Sequence, residues 1–315
     1  MESHGSAIPE ITQEACRKAD AVLFGATWKH CRTVLRFLRW GLDTYANVRP
    51  ARSRTSARAI GRADGVDLVV VRENTEGEAP AREGDLAELA RRWPELRDAL
   101  GRSLPSTGAF AIRVTTEEAC ARIARAAARQ AIERKTRGRP GRVTIVTKSN
   151  VLARTDGMLV EIASRILSEA GVETDQLYID EACRRLVTSP QSFDVVLTPN
   201  LFGDIMSSIA AELVGGIGVA PTACIGDRHA YFEPLHGAAP DIAGKGVANP
   251  IATILSAQMM LAHLGLGDTA ARLERAVSRL LEEGEHLTPD LGGSACTDEV
   301  AAEIIRLFSR DGEYS

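Results

Sequence analysis

The feature that most constrains this chain is a repeated change of hydrophobic period. Short apolar runs of strand length (Ala21 to Phe24, Leu68 to Val71, Val143 to Thr147 and Phe193 to Thr198) are separated by longer stretches in which apolar residues recur at helical spacing. This alternation is the pattern of an α/β protein with buried strands. Polar residues sit at the strand ends: Gly25 follows the first run, Arg72-Glu73-Asn74 the second and Lys148 the third. The clearest helix is predicted over Thr115 to Lys135, with Thr115 and Glu118 spaced as a capping box, Ala119, Ile123, Ala127 and Ile132 near one face, and Gly138 to end it. After the turn Pro199-Asn200 a helix is expected from near Gly203-Asp204 through Ala211, and another over Ile251 to Leu264. The Gly-, Ala- and Pro-rich stretch from Gly215 to Asn249 reads as loop. The charged segment Ala79 to Ser106 reads as helix and loop.

Composition narrows the class. The chain has 315 residues, 44% hydrophobic and 25% charged, enough for one large or two moderate domains with a sizeable core. It holds no run of eighteen apolar residues and no signal-like start, so a cytoplasmic, non-membrane protein is expected. Six cysteines are scattered without a C-x-x-C pair, which argues against a disulfide framework or a structural zinc site. A net charge of -4 with no block of like charge gives no footprint for nucleic acid. Only five lysines occur against an arginine-rich background, so Lys148, placed directly after a strand, stands out.

Three groups of residues carry chemistry. The first joins Leu35-Arg36-Phe37-Leu38-Arg39, Tyr45-Ala46-Asn47-Val48-Arg49-Pro50 and Val71-Arg72-Glu73-Asn74-Thr75-Glu76-Gly77. If these segments neighbour one another, three or four guanidinium groups converge, and such groups bind di- or tricarboxylates through paired, charge-assisted hydrogen bonds. Each arginine taken singly reads equally well as surface charge. The second group is Lys148, Asp180 and Asp204, in which carboxylates at the ends of two elements offer oxygen ligands to a hard divalent cation. Spacing alone would equally allow solvated or helix-capping aspartates. The third is the loop around His236-Gly237-Ala238-Ala239-Pro240-Asp241, where backbone can approach a ligand closely, or simply turn. It is not a G-x-G-x-x-G fingerprint.

The strings LRFLRWGLDTYANVRPARSR, VVVRENTEGE, TKSNVL, FDVVLTPNLFGDI, LVGGIGVAP, FEPLHGAAPDIAGKGVANPIATILSAQMML and PDLGG occur in this order over nearly the whole chain. The chain thereby resembles the isocitrate, isopropylmalate and homoisocitrate dehydrogenases, and is most similar to the last. The resemblance implies an isocitrate/isopropylmalate dehydrogenase-like two-domain α/β fold, with 1–44 and 215–315 as a cofactor-binding domain and 45–214 as a central substrate, metal and dimerisation domain. It implies NAD-dependent oxidative decarboxylation of a 3-substituted malate with Mg2+ or Mn2+. Arg39, Arg49 and Arg72 match residues that hold the malate portion, and Arg36 matches one directed at a distal carboxylate. A homoisocitrate- or isocitrate-like substrate, or a phosphonate in place of the distal carboxylate, is therefore expected. Lys148 and Asp180 match catalytic residues, Asp180 and Asp204 metal ligands, and Asn150, His236, Gly237, Ala239, Asp241 and Asn249 residues around the dinucleotide. A carboxylate at Asp241 accepts hydrogen bonds from ribose hydroxyls and repels a 2′-phosphate, which favours NAD. A homodimer with shared active sites is also implied.

The sequence departs from that pattern in three places. Ala79 stands where relatives carry a proton-donating tyrosine, and Ser208 stands one helical turn after Asp204 where they carry another aspartate. The usual N-terminal strand and glycine loop are lacking ahead of the stretch matching Ile8 to Phe24, so an exposed sheet edge is expected. These departures keep a second reading open: a non-catalytic or regulatory paralogue that retains fold and ligand binding. Two substitutions test the assignments by NADH formation from 3-substituted malates. Arg36→Leu is expected to relax a preference for anionic side chains, and Ala79→Tyr to speed turnover. Unchanged selectivity and rate would remove both.

Overall fold

The structure, a computed structural model, describes residues 6–28, 31–54 and 64–313. Ten strands lie in chain order: β1 (Val22–Leu23), β2 (Ala46–Arg52), β3 (Asp67–Glu73), β4 (Glu83–Asp85), β5 (Ala109–Ala111), β6 (Val143–Thr147), β7 (Thr174–Tyr178), β8 (Val195–Thr198), β9 (Pro221–Ile225) and β10 (Ala230–Pro234). The helices are α1 (Glu10–Lys18), α2 (Cys31–Arg36), α3 (Leu86–Arg92), α4 (Glu117–Thr136), α5 (Thr155–Glu169), α6 (Ile179–Thr188), α7 (Asn200–Leu213), α8 (Ile251–His263), α9 (Gly267–Glu283) and α10 (Thr297–Glu313).

Eight strands form one sheet in the order β1-β10-β9-β2-β3-β8-β6-β7. The half from β3 to β7 is parallel, whereas β9, β2 and β3 run antiparallel to one another. The sheet is continuous across both chain divisions named above, since β2 pairs with β9. β1, the first described strand, is two residues long and lies at one end of the sheet order against β10.

Period-2 alternation splits the strands between two covered faces. One face carries Val48, Val69, Val71, Ile145, Val195 and Leu197, buried under α4 and α5, and Ala223 and Phe232, covered by α8, in the largest apolar cluster. Helix α4 lies close to this face because its inner positions are alanine: Ala119, Ala124, Ala127 and Ala131 are at most 2% exposed. Leu68, Val70, Val146 and Val196 face the other way, into a cluster with α6 and α7, and Tyr231 and Cys224 pack under α2. Helices α8, α9 and α10 form a further apolar layer around Val277, Leu280, Val300 and Ile304.

Several local expectations need correction. The cap of α4 is Thr116, not Thr115: its hydroxyl accepts from the Ala119 N–H at 3.2 Å. The reciprocal carboxylate is Glu76, forty residues upstream, which accepts from the Thr116 N–H and hydroxyl at 2.8 and 2.7 Å. Ile132 is 47% exposed and Ala131 takes the core position. The stretch 215–249 is not all loop, for it contains the β9–β10 hairpin. Alanine, proline and cysteine in those strands masked the β signal. Within 79–106, β4 pairs with β5 and α3 follows β4 directly.

At the N-terminal ends of β3 and β8, Arg134 from α4 joins Asp194 (2.5 Å) and Asp67 (2.9 Å) and donates to the Asp67 carbonyl at 2.6 Å. Asp194 is only 2% exposed. Arg134→Met leaves that carboxylate buried without its cation and is expected to cost about 3–5 kcal/mol. Urea unfolding measures this, and a loss under about 1 kcal/mol, the range of a surface ion pair, would show that the pair is solvated.

Candidate active site

Across the sheet, register places Val22, Tyr231, Cys224, Asn47, Arg72 and Thr198 in a single cross-strand row. Side chains two residues along each strand share that face, which adds Glu233, Thr222 and Arg49. The row is apolar at its Val22 end and polar from its middle, Asn47 and Arg72, to Thr198. That middle lies beside the first turn of α7 and below the helical turn that follows α2.

The turn Phe37–Gly41 is a π-helix, a widened form often found at functional sites. It places Phe37 and Leu38 in the core and leaves Arg39 half-buried beside Glu233 and Tyr231. Gly41 is required here, because a Cβ would stand 2.9 Å from the Phe37 ring. Trp40 donates to the Thr75 carbonyl at 2.8 Å, tying the π turn to the loop after β3.

Arg49 and Arg72, on the paired strands β2 and β3, have side chains only 7% and 6% exposed. Both reach Oδ1 of Asp204 on α7, at 2.8 Å from Arg49 and 2.5 Å from Arg72. Arg49 also donates to Asn47 Oδ1 (2.9 Å) and Ser207 Oγ (2.8 Å), and Arg72 donates to Asn200 Oδ1 (2.7 Å). Gly203 makes this approach feasible, since a Cβ there would lie 2.6 Å from Cγ of Arg72. Burial would raise the Asp204 pKa, but Arg72, Arg49 and Arg39 outweigh it and hold the carboxyl below its usual range. Burial, with Arg49 alongside, pushes Arg72 down to about 10, still cationic at neutral pH. Burial also raises the Glu233 carboxyl against the opposing pull of Arg39 and Arg49.

The row is polar beyond its own needs. Arg39 Nε, Arg72 Nε, Thr198 Oγ1, Asn200 Nδ2 and Thr222 Oγ1 are buried without a hydrogen-bond partner. Orphaned buried polar atoms are uncommon, and a cluster of them beside three arginines is what a ligand pocket looks like when only the protein is present. Sequence motifs contained Thr198, Asn200 and Glu233 but did not single them out; Ser207 and Thr222 gave no signal.

The other expected residues are placed as follows. Arg36 ends α2, exposed, one helical turn before Arg39. Lys148 follows β6 and forms an ion pair with Asp180 at the start of α6; Asp180 is 68% exposed and the Lys148 side chain 28%. Among the described residues, no hydrogen bond or ion pair links this pair to Asp204. Asn150 lies exposed in the same turn. His236, Gly237, Ala239 and Asp241 occupy the loop after β10, with His236 Nδ1 2.9 Å from the Gly237 carbonyl, Ala239 at φ +41° and Asp241 exposed. Asn249 closes that loop, donating to Asp290 Oδ2 at 3.0 Å and accepting from the Ile251 N–H at 2.9 Å, where it starts α8.

A family described as isocitrate/isopropylmalate dehydrogenase matches residues 1–304. The chain belongs to that family. Similar proteins include the 3-isopropylmalate/3-methylmalate dehydrogenase of Methanocaldococcus jannaschii, 45% identical over 96% of this chain and 85% of the relative. The isocitrate/homoisocitrate dehydrogenase of Thermus thermophilus is 43% identical over 97% of this chain and 85% of the relative. Among solved structures, a beta-decarboxylating dehydrogenase from Thermococcus kodakarensis in its apo form superposes with a TM-score of 0.77 at 37% identity, covering 98% of this chain and 84% of that one. The protein is thus a β-decarboxylating dehydrogenase of the isocitrate/isopropylmalate/homoisocitrate type, a family that uses a divalent metal and a nicotinamide cofactor and acts on small carboxylates. Among the described residues no helix is long and apolar enough to cross a membrane.

The folded-state pKa of Asp204 lies below its ordinary value, so the stability it contributes is present above that value and is lost as pH falls through the depressed one. Urea midpoints of the wild type and Asp204→Asn are expected to differ at neutral pH and to converge as pH drops below about 3.9. A gap independent of pH would show that the arginine pairs do not set the charge of Asp204.

Proposed function

We propose that the enzyme oxidises and decarboxylates a 3-substituted malate bearing an anionic side chain, homoisocitrate- or isocitrate-like or a phosphonate analogue, with NAD as acceptor. The observation that carries this reading is the convergence of buried Arg49 and Arg72 on Asp204, with Arg39 beside them and unpartnered donors around. In it, Arg39, Arg49 and Arg72 hold the malate carboxylates and fix C2 and C3 against the sheet. Arg36, exposed at the mouth of α2, meets the distal anion. Lys148 takes the proton of the 2-hydroxyl. Asp241, an exposed carboxylate on the loop after β10, favours a free ribose 2′-hydroxyl and hence NAD.

The donor set within one protomer does not complete a metal site. Asp204 offers Oδ2, which takes part in no described hydrogen bond, but the Ser208 hydroxyl donates back to the Asp204 carbonyl at 2.9 Å. Among the described residues no three His, Cys, Asp or Glu side chains stand together as ligands. The exposed Asp180 fits as the missing donor if a second copy presents it with Lys148. We therefore propose a homodimer with shared sites, in which Asp204 of one subunit and Asp180 of the other hold Mg2+ or Mn2+. The chemistry that these groups would supply when bound is polarisation of the C2 oxygen by the cation and a hydride acceptor in the nicotinamide. The division into a cofactor-binding part (1–44 and 215–315) and a central part (45–214) fits this arrangement, with the dinucleotide along the 236–249 loop near Asn150.

Ala79 and the back-bonded Ser208 favour the second reading, a ligand-binding protein without turnover. Purified protein with Mg2+, NAD and a panel of 3-substituted malates decides between them: NADH should form with anionic substrates. No NADH with any candidate, while a ligand still raises the melting temperature, would favour the binding protein. Co-expressed Lys148→Ala and Asp204→Asn subunits, each with only residual turnover alone, should regain about a quarter of wild-type turnover, because half the dimers are mixed and each has one intact site. No regain would place both residues in one subunit's site.

A further inference from the structure

Beneath Lys148, outside the arginine pocket, lies a buried ion pair that this chemistry does not use. The Lys148 backbone N–H donates to Oδ2 of Asp156, in the first turn of α5, at 2.7 Å. The other oxygen of that carboxylate faces Arg113 at 2.7 Å, and the two side chains are 1% and 14% exposed. Arg113 in turn lies 5.5 Å from the ring centroid of Phe202, two residues before Asp204, and 3.4 Å from Glu78 in the loop after β3.

Placing an ion pair here costs desolvation that a well-packed apolar pair would avoid, so its contribution is better sought in geometry than in stability. Lys148 is the first residue beyond β6, where the sheet no longer fixes the backbone. Its carbonyl accepts from the Val151 and Leu152 N–H groups, both at 2.9 Å, and its N–H is held by Asp156. The backbone of Lys148 is thus gripped on both sides, and only side-chain torsions remain to aim the amine. The carboxylate is paired with Arg113, which lies over the Phe202 ring of α7.

We propose that Asp156 and Arg113 are positioning residues for Lys148, holding its backbone within its own subunit so that the amine is presented to the shared site in one geometry. The proposal rests on the reading of Lys148 as the base. A displacement of about 1 Å can cost about a hundredfold in rate without loss of binding.

The test uses the intact enzyme and two independent readouts. In Asp156→Ala, hydrogen exchange of the 148–152 segment should accelerate at Lys148 while the helical remainder of α5 stays protected. Turnover should fall roughly 10- to 100-fold with KM changed by less than about threefold. Asp156→Asn, which keeps an acceptor for the amide, should fall less. In a Lys148→Ala background, Asp156→Ala should remove nothing further, since no amine remains to be placed. Unchanged exchange at Lys148, or an equal proportional loss of turnover in both backgrounds, would overturn the proposal and make Asp156 a general support of the fold. If Lys148→Ala itself keeps full turnover, the base assignment falls and the positioning role with it, whereas exchange still reports whether Asp156 grips the backbone.

Discussion

The site depends on a single carboxylate shared by two guanidinium groups. Arg49 and Arg72 are nearly dry, and cations in that state are tolerated only beside compensating negative charge. Asp204 supplies it from α7, and Asn47, Asn200 and Ser207 accept further hydrogen bonds from the two guanidinium groups. The arginines are therefore aimed before any substrate arrives, and the polyanion finds donors that need little reorganisation. With Arg39 included, three cations face two carboxylates, Asp204 and Glu233, and burial biases the second toward its neutral form. The pocket keeps a positive surplus suited to a substrate with several carboxylates.

A second constraint is topological. Arg49 and Arg72 sit in the centre of the sheet, where β2 and β3 are flanked on both sides, so their direction is set by pleat and register. Lys148, half-buried, and Asp180, exposed, instead sit just beyond the last two strands and pair with one another. One half of the chemistry is buried and fixed, the other presented outward. This asymmetry fits the proposed site completed by a second subunit.

The sequence revealed the strands with unbroken apolar runs, because Val143 to Thr147 and Leu68 to Val71 need two covered faces. It concealed the β9–β10 hairpin, where alanine, proline and cysteine dilute the β-favouring Thr222, Ile225, Tyr231 and Phe232, although Ala223, Cys224 and Tyr231 are almost wholly buried. Arg39, Arg49, Arg72 and Asp204 were legible as a group only through ordered motifs, since nothing in their spacing predicts that residues 49 and 204 touch. Thr198, Thr222 and Glu233 became visible once register placed them in the same polar stripe. Glu76 as a remote partner of the α4 cap, and Asp156 as a grip on Lys148, are contacts between distant segments for which no local pattern exists. Arg36 was read from its motif, and the structure leaves it free at the end of α2.

The pairing of β2 with β9, and of Arg49 with Asp204, joins segments more than 150 residues apart. At about 5–20 residues per second, a ribosome needs roughly 8–30 s to make the intervening chain. Throughout that interval the middle of the sheet has no partner on one side and two guanidinium groups have no counter-charge. The nascent chain must therefore stay wet at the very place that is driest in the finished molecule, and the groove can close only late in synthesis.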